Sequence, residues 1–203
     1  MTAFFTEGQS DPTVQPVPPS VVERVDAADT TLSNPKRAVL SLGSNLGNRL
    51  ETIQGAIDAL EDTPGVRVKA VSPVYETEPW GVEPGSQPTY FNAVIVLKTT
   101  LPPSSLLERA HAVEEAFHRV REERWGARTI DVDIVAYADV LSEDAELTLP
   151  HPRAHERAFV LAPWHDVDPD AQLPGHGPVS QLLDTITREG VAPRADLELR
   201  LPE

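Results

Sequence analysis

The spacing of apolar positions along the chain alternates between the two-residue period of strands and the longer period of helices. Ala38 to Leu42 is a short apolar run that predicts a strand, followed by the turn-rich Gly43-Ser44-Asn45-Leu46-Gly47-Asn48. Asn48 is placed to cap a helix, because Leu50, Ile53, Ile57 and Leu60 recur at helical spacing until Pro64-Gly65 stops them. A second strand is predicted from about Val66 to Tyr75 and a third from Tyr90 to Thr99. In the third, Tyr90, Asn92, Val94 and Val96 face one way, and Phe91, Ala93, Ile95 and Leu97 the other. The loop between them, 76–88, holds Pro79, Gly81, Pro84, Gly85 and Pro88 and is longer than most connections in compact domains. Pro102-Pro103-Ser104 opens a second helix with a stripe of Leu106, Ala110, Val113 and Phe117. A last strand follows, in which Ile130, Val132 and Ile134 alternate with Asp131 and Asp133.

The order strand, helix, strand, strand, helix, strand is the ferredoxin-like β-α-β-β-α-β arrangement, an α+β fold with a mainly antiparallel sheet and helices packed on it. Extra C-terminal elements begin near Ala138: a short hairpin, the segment Leu149 to Trp164, and a helix around Val179 to Ile186. Residues 1–36 carry Pro12, Pro16, Pro18, Pro19 and Pro35 without sustained periodicity. They read as a disordered or extended tail, which leaves 37–203 as a single domain.

Composition narrows the function. The net charge of -15 argues against nucleic acid or an anionic membrane as a bulk partner. The absence of cysteine excludes disulfides and thiolate metal sites. No apolar run is long enough to span a bilayer, and the N-terminus lacks a basic region followed by an apolar one, so a soluble, cytoplasmic monomer is expected.

Against this acidic background, Arg119, Arg121, Arg124 and Arg128 form a local basic cluster immediately before the Asp-x-Asp strand. Asp131 and Asp133 share one strand face, where two like charges repel unless a cation sits between them. Hard divalent ions take carboxylate oxygens, and arginines hold phosphate oxygens in a fork. Taken singly, each feature has an ordinary explanation: a solvated strand face, or surface ion pairs with Glu122 and Glu123. Their coincidence, with Trp125 and Gly126 between them as a lid for a flat ligand, points to chemistry on a metal-bound polyphosphate. No Gly-x-x-x-x-Gly-Lys-Ser/Thr cradle is present, and the Gly43 to Asn48 loop reads as a tight structural turn rather than an anion site.

Five segments together carry a specific resemblance. They are Leu42 to Asn48, Val74 to Gly81, Gln87 to Ala93, Arg124 to Asp133 and Pro150-His151-Pro152-Arg153, in order and with similar spacing. This set, within about Ala38 to Pro174, resembles the 6-hydroxymethyl-7,8-dihydropterin pyrophosphokinases of folate biosynthesis. The resemblance implies transfer of pyrophosphate from ATP to the pterin hydroxymethyl group, release of AMP, and two Mg²⁺ ions held by Asp131 and Asp133. It implies catalytic roles for Arg119, Arg128, Asp131 and Asp133. It places Glu114, Arg119, Arg121, Arg124, Trp125, Arg128, Ile134, Thr148, His151 and Arg157 toward ATP. It places Thr77, Glu78, Pro79, Trp80, Tyr90, Asn92, Trp125 and Phe159 around the pterin, with Tyr90 and Phe159 stacking on the ring. The stretch between Arg121 and Arg124 is one residue shorter than the family's form.

Without the resemblance, Tyr90 and Phe159 would pass for core aromatics, His151 for a surface or capping histidine, and Glu114 for an exposed helix glutamate. Three rival functions stand beside it. One is another metal-dependent nucleotidyl or pyrophosphoryl transferase without a pterin pocket. The second is an RNA-binding module of the same topology, against which the acidity counts. The third is a scaffold, which leaves the arginines without a purpose.

Overall fold

The computed structural model describes residues 34–79, 87–117 and 129–202. A six-stranded antiparallel sheet forms from β1 (Lys36–Ser44), β2 (Val66–Val71), β3 (Tyr75–Thr77), β4 (Tyr90–Thr99), β5 (Asp131–Tyr137) and β10 (Val191–Pro193). Its order is β10-β3-β4-β1-β5, and β2 pairs with the far end of β4. β1 and β4 are central and buried on both faces, which is why their sequences run almost continuously apolar.

One face is covered by α1 (Arg49–Glu61) and α2 (Pro103–Ala116). Asn48 caps α1 as its position predicted, accepting from the Glu51 N–H, and Ile53, Ala56, Ile57 and Leu60 form the buried stripe. They pack on Ala38, Leu40, Leu42, Phe91, Ala93, Ile95 and Leu97, the side of β4 expected from its alternation. The opposite face is partly covered by α3 (Ala158–Val167) and α4 (Val179–Thr185), whose Val160, Leu161, Trp164 and Leu183 meet Val39, Val94 and Val96. Helices therefore lie on both sides of the sheet. The α+β class and antiparallel sheet agree with the sequence, and two small hairpins, β6 (Ser142–Glu143) with β7 (Thr148–Leu149) and β8 (Gln172–Leu173) with β9 (Gly177–Pro178), complete the C-terminal additions.

Two departures from the pattern matter for the site. The expected strand from Val66 to Tyr75 is two strands, because Pro73 has no N–H to give and interrupts the ladder. Ser72 bridges the gap: its N–H donates to Val94 O at 2.9 Å and its Oγ accepts from Val94 N–H at 2.8 Å. The second departure is a bulge. Val39 pairs with Ala136 but Leu40 with Ile134, so Val135 is the extra residue of β5. Ile134 and Tyr137 consequently face α1 and α2, while Val135 and Ala136 face α3. Among the described residues no helix is long and apolar enough to cross a membrane.

Candidate active site

α3 leaves one end of its sheet face open, and there a cavity of about 350 Å³ is floored by β1, β4 and β5. Asp131 and Asp133 stand in its wall on one face of β5, opposite Gly43 and Ser41 of β1. Gly43 is in turn opposite Asn92 of β4, so one row across the sheet reads Asp131, Gly43, Asn92 and Tyr75. Adjacent strands lie about 4.8 Å apart, so Asp131 and Asn92 are separated by about 10 Å with only a glycine between them. A Cβ on Gly43 would sit 3.1 Å from Asn92 Oδ1, so the glycine keeps the floor flat.

The two ends of this row differ in chemistry. At the Asn92 end, Tyr90, Thr77, Pro79 and Phe159 line the cavity. Asn92 is 5% exposed, and its Nδ2 donates to Thr77 Oγ1 at 2.8 Å, which leaves Oδ1 and one N–H to offer a ligand. At the other end, Asp133 Oδ2 lies 3.5 Å from Arg157 Nη1 and 3.8 Å from His151 Nε2. The bulge explains this placement, because the Val135 carbonyl accepts the His151 N–H at 2.9 Å and brings the imidazole alongside Asp133. Burial, then the Arg157 and Arg153 cations, hold the His151 pKa down at about 4, so the ring is neutral. Its Nδ1 accepts from Arg153 N–H at 3.2 Å, and its Nε2 lies 3.5 Å from Arg157 Nη1 and 3.8 Å from Asp133 Oδ2.

Asp131 and Asp133 offer an all-oxygen donor set from one strand face. Among the described residues no group of three or more His, Cys, Asp or Glu side chains gathers as a self-contained metal cage. Carboxylate oxygens of this kind suit a hard divalent cation that completes its shell with water or substrate oxygens. The arrangement pairs a hard-cation site with an apolar, aromatic-lined slot.

The comparisons with known proteins agree with this geometry. A family model described as 7,8-dihydro-6-hydroxymethylpterin-pyrophosphokinase (HPPK) matches residues 39–169, well over half of the chain. The chain belongs to the HPPK family. A 2-amino-4-hydroxy-6-hydroxymethyldihydropteridine pyrophosphokinase of Methylorubrum extorquens is 45% identical over 68% of this chain and 87% of its own length. One of Mycobacterium bovis is 43% identical over 82% and 95% of the two chains. One of Pseudomonas aeruginosa is 42% identical over 77% and 95%. Among solved structures, wild-type HPPK-DHPS of Plasmodium falciparum with pteroate superposes with a TM-score of 0.58 at 15% identity. The match covers 75% of this chain and 42% of that one, so the chain spans less than half of that protein. At this identity the likeness concerns the fold alone.

Of the residues singled out from the sequence for this HPPK chain, the structure brings Thr77, Glu78, Pro79, Tyr90, Asn92, Asp131, Asp133, Arg157 and Phe159 to one cavity. His151 stands beside it through Asp133. Trp80, Arg119, Arg121, Arg124, Trp125 and Arg128 lie outside the described residues, as does the segment 1–33 of the expected tail. Three residues are placed differently. Glu114, expected toward ATP, is 3% exposed and outside the cavity lining: its Oε1 accepts the Val132 N–H at 2.8 Å, behind the strand that carries the acid pair. The Ile134 side chain is buried against α1 and α2, so only its backbone is available to a nucleotide. Thr148 sits in the β6–β7 hairpin, where its hydroxyl donates to Asp144 O at 3.0 Å.

The cavity also takes residues that the sequence reading did not single out. Gly43 belongs to β1, not to a turn, and Ser41 precedes it in the floor. Thr187, Glu189 and Val191 come from the last strand and the turn before it. Gly43 had a legible signal in the apolar run that leads into it. The C-terminal wall had none, since Thr187 and Glu189 stand in a polar segment and Val191 opens an edge strand of only three residues.

Proposed function

We propose that this chain transfers pyrophosphate from ATP to the hydroxymethyl group of 6-hydroxymethyl-7,8-dihydropterin, releasing AMP, and that it does so with two Mg²⁺ ions at Asp131 and Asp133. The observation that carries this reading is the row Asp131–Gly43–Asn92 in the floor of one cavity. A pterin lying flat over Gly43 presents its polar edge to Asn92 and extends its hydroxymethyl group toward the acid pair. Tyr90 and Phe159 supply apolar surface for the ring faces, and Asn92 Oδ1 accepts from an N–H of the ring edge.

The hydroxyl oxygen bonds to the β-phosphorus as the bridging bond to the α-phosphate breaks, and AMP leaves. Such transfer needs positioning and charge neutralisation more than covalent help. Divalent ions supply that neutralisation and lower the pKa of a bound hydroxyl. Asp133, beside Arg157 and neutral His151, marks the nucleotide end, and Asp131, in the row with Asn92, marks the acceptor end. A carboxylate of this pair takes the hydroxyl proton. On sequence grounds Arg119, Arg121, Arg124 and Arg128 hold phosphate oxygens.

The test is the product. Purified protein with ATP, Mg²⁺ and the reduced pterin alcohol should form AMP in equal amount to pterin pyrophosphate, and chelation should abolish turnover. ADP in place of AMP means γ-transfer and defeats the proposal.

A further inference from the structure

On the side of β3 and β4 away from the cavity, charged residues from three distant parts of the chain meet over one aromatic ring. Glu76 of β3 is opposite Phe91 of β4. Glu76 Oε2 accepts from Arg194 Nη1 at 2.6 Å, and its Oε1 accepts from the Thr89 hydroxyl at 2.6 Å with Arg49 Nη1 at 3.5 Å. Arg49, at the start of α1, also donates to Thr89 O and Oγ1, each at 2.7 Å. The Arg49 guanidinium lies 3.5 Å from the Phe91 ring centre and that of Arg194 lies 5.4 Å from it. Arg194 is itself fixed by two bonds to Asp196, at 2.9 and 2.7 Å, and its N–H donates to Val74 O at 2.8 Å. The Thr89 hydroxyl first, then Arg194 and last Arg49 hold the Glu76 carboxyl below its usual range, against the opposing effect of burial.

The residues held are the backs of residues that face the cavity. Glu76 lies between Tyr75 and Thr77, Thr89 directly precedes Tyr90, and Arg194 follows β10, whose Val191 pairs with Thr77. β3 and β10 are three residues each, too short to fix their own position by ladder bonds. Glu76, Arg49 and Arg194 keep 27%, 23% and 31% of their side chains exposed, and pairs that wet add little stability one by one. What they do fix is register between three chain segments.

We propose that Arg49, Glu76 and Arg194 form a positioning clamp that sets the acceptor side of the cavity, acting on pterin affinity through Thr77, Tyr90 and Val191. The clamp rests on the assignment of that side to the pterin, and the experiment separates the two. Steady-state kinetics and pterin titration, with a non-hydrolysable ATP analogue present, compare Tyr90→Ala, Glu76→Gln, Arg194→Ala and Arg194→Lys. The expected result is a rise in KM for pterin of about tenfold in Glu76→Gln and Arg194→Ala, with kcat and KM for ATP within about twofold and partial recovery in Arg194→Lys. If Tyr90→Ala weakens pterin binding while both clamp variants leave it within about twofold, the clamp is refuted and the pocket assignment stands. If the clamp variants lose ATP and pterin affinity in step with thermal stability, the cluster is only structural and the inference fails. If Tyr90→Ala leaves pterin affinity intact, the pocket assignment fails and takes the clamp with it.

Discussion

Replacing Gly43 by alanine adds one methyl group to the floor between the acid pair and Asn92. That methyl would lie 3.1 Å from Asn92 Oδ1, against 3.4 Å or more in ordinary contact, so the amide must retreat by a few tenths of an ångström. Asn92 has little room to do so, being 5% exposed with its Nδ2 bonded to Thr77 at 2.8 Å. If the amide shifts with that bond intact, only the ligand contact is weakened, at about 1 kcal/mol, or about fivefold in affinity. If the Thr77 bond breaks as well, the cost is about 2 kcal/mol, or about thirtyfold. Calorimetric titration of the pterin alcohol into protein with a bound non-hydrolysable ATP analogue should therefore show a loss between these limits, with nucleotide affinity unchanged. A pterin affinity within about twofold of wild type, in a Gly43→Ala protein that melts normally, would refute the placement of the ring over this row.

Three further outcomes are expected. Asp133→Asn should lower kcat by more than about a hundredfold, with the urea midpoint little changed, because the group serves charge neutralisation rather than packing. Leu40→Ala, at a fully buried position in a central strand, should cost about 2–5 kcal/mol in chemical unfolding, and a loss below 1 kcal/mol would contradict the packing described. His151 titrates at about 4 in the fold and near 6.5 unfolded, so its contribution is complete above pH 6.5 and is lost as pH falls toward 4. Unfolding measured in chelator should then show wild type losing about 2 kcal/mol more than His151→Gln between pH 7 and pH 5, and equal losses would remove the histidine from the account.

Much of this arrangement is legible in the chain before any coordinates. Strict alternation along 90–97 assigned each face of β4 correctly, and the same rule put Asp131 and Asp133 on one side of β5. Where the reading failed, a local rule met a distant contact. Gly43 looks like turn chemistry because Ser, Asn and a second Gly follow it, yet β1 runs through Ser44 since Phe91 and Asn92 pair with that end. Glu114, expected toward ATP, is also met by the Val132 N–H across the interface with β5, a contact no helical wheel displays. The Val135 bulge leaves no trace in a run of aliphatics, although it aims His151. Pro73, in contrast, was a visible reason to divide the second strand. The link from Glu76 to Arg194 spans 118 positions, a separation at which no periodicity speaks.

Among the described strands, β5 is the outermost on its side of the sheet, and such a border ordinarily displays unsatisfied donors to any passing extended chain. The glutamate reaching out of α2 occupies the Val132 donor, so a foreign segment finds that rung already taken. A buried carboxylate thus leaves one rung fewer for an added strand on the border of the very strand that carries the acid pair.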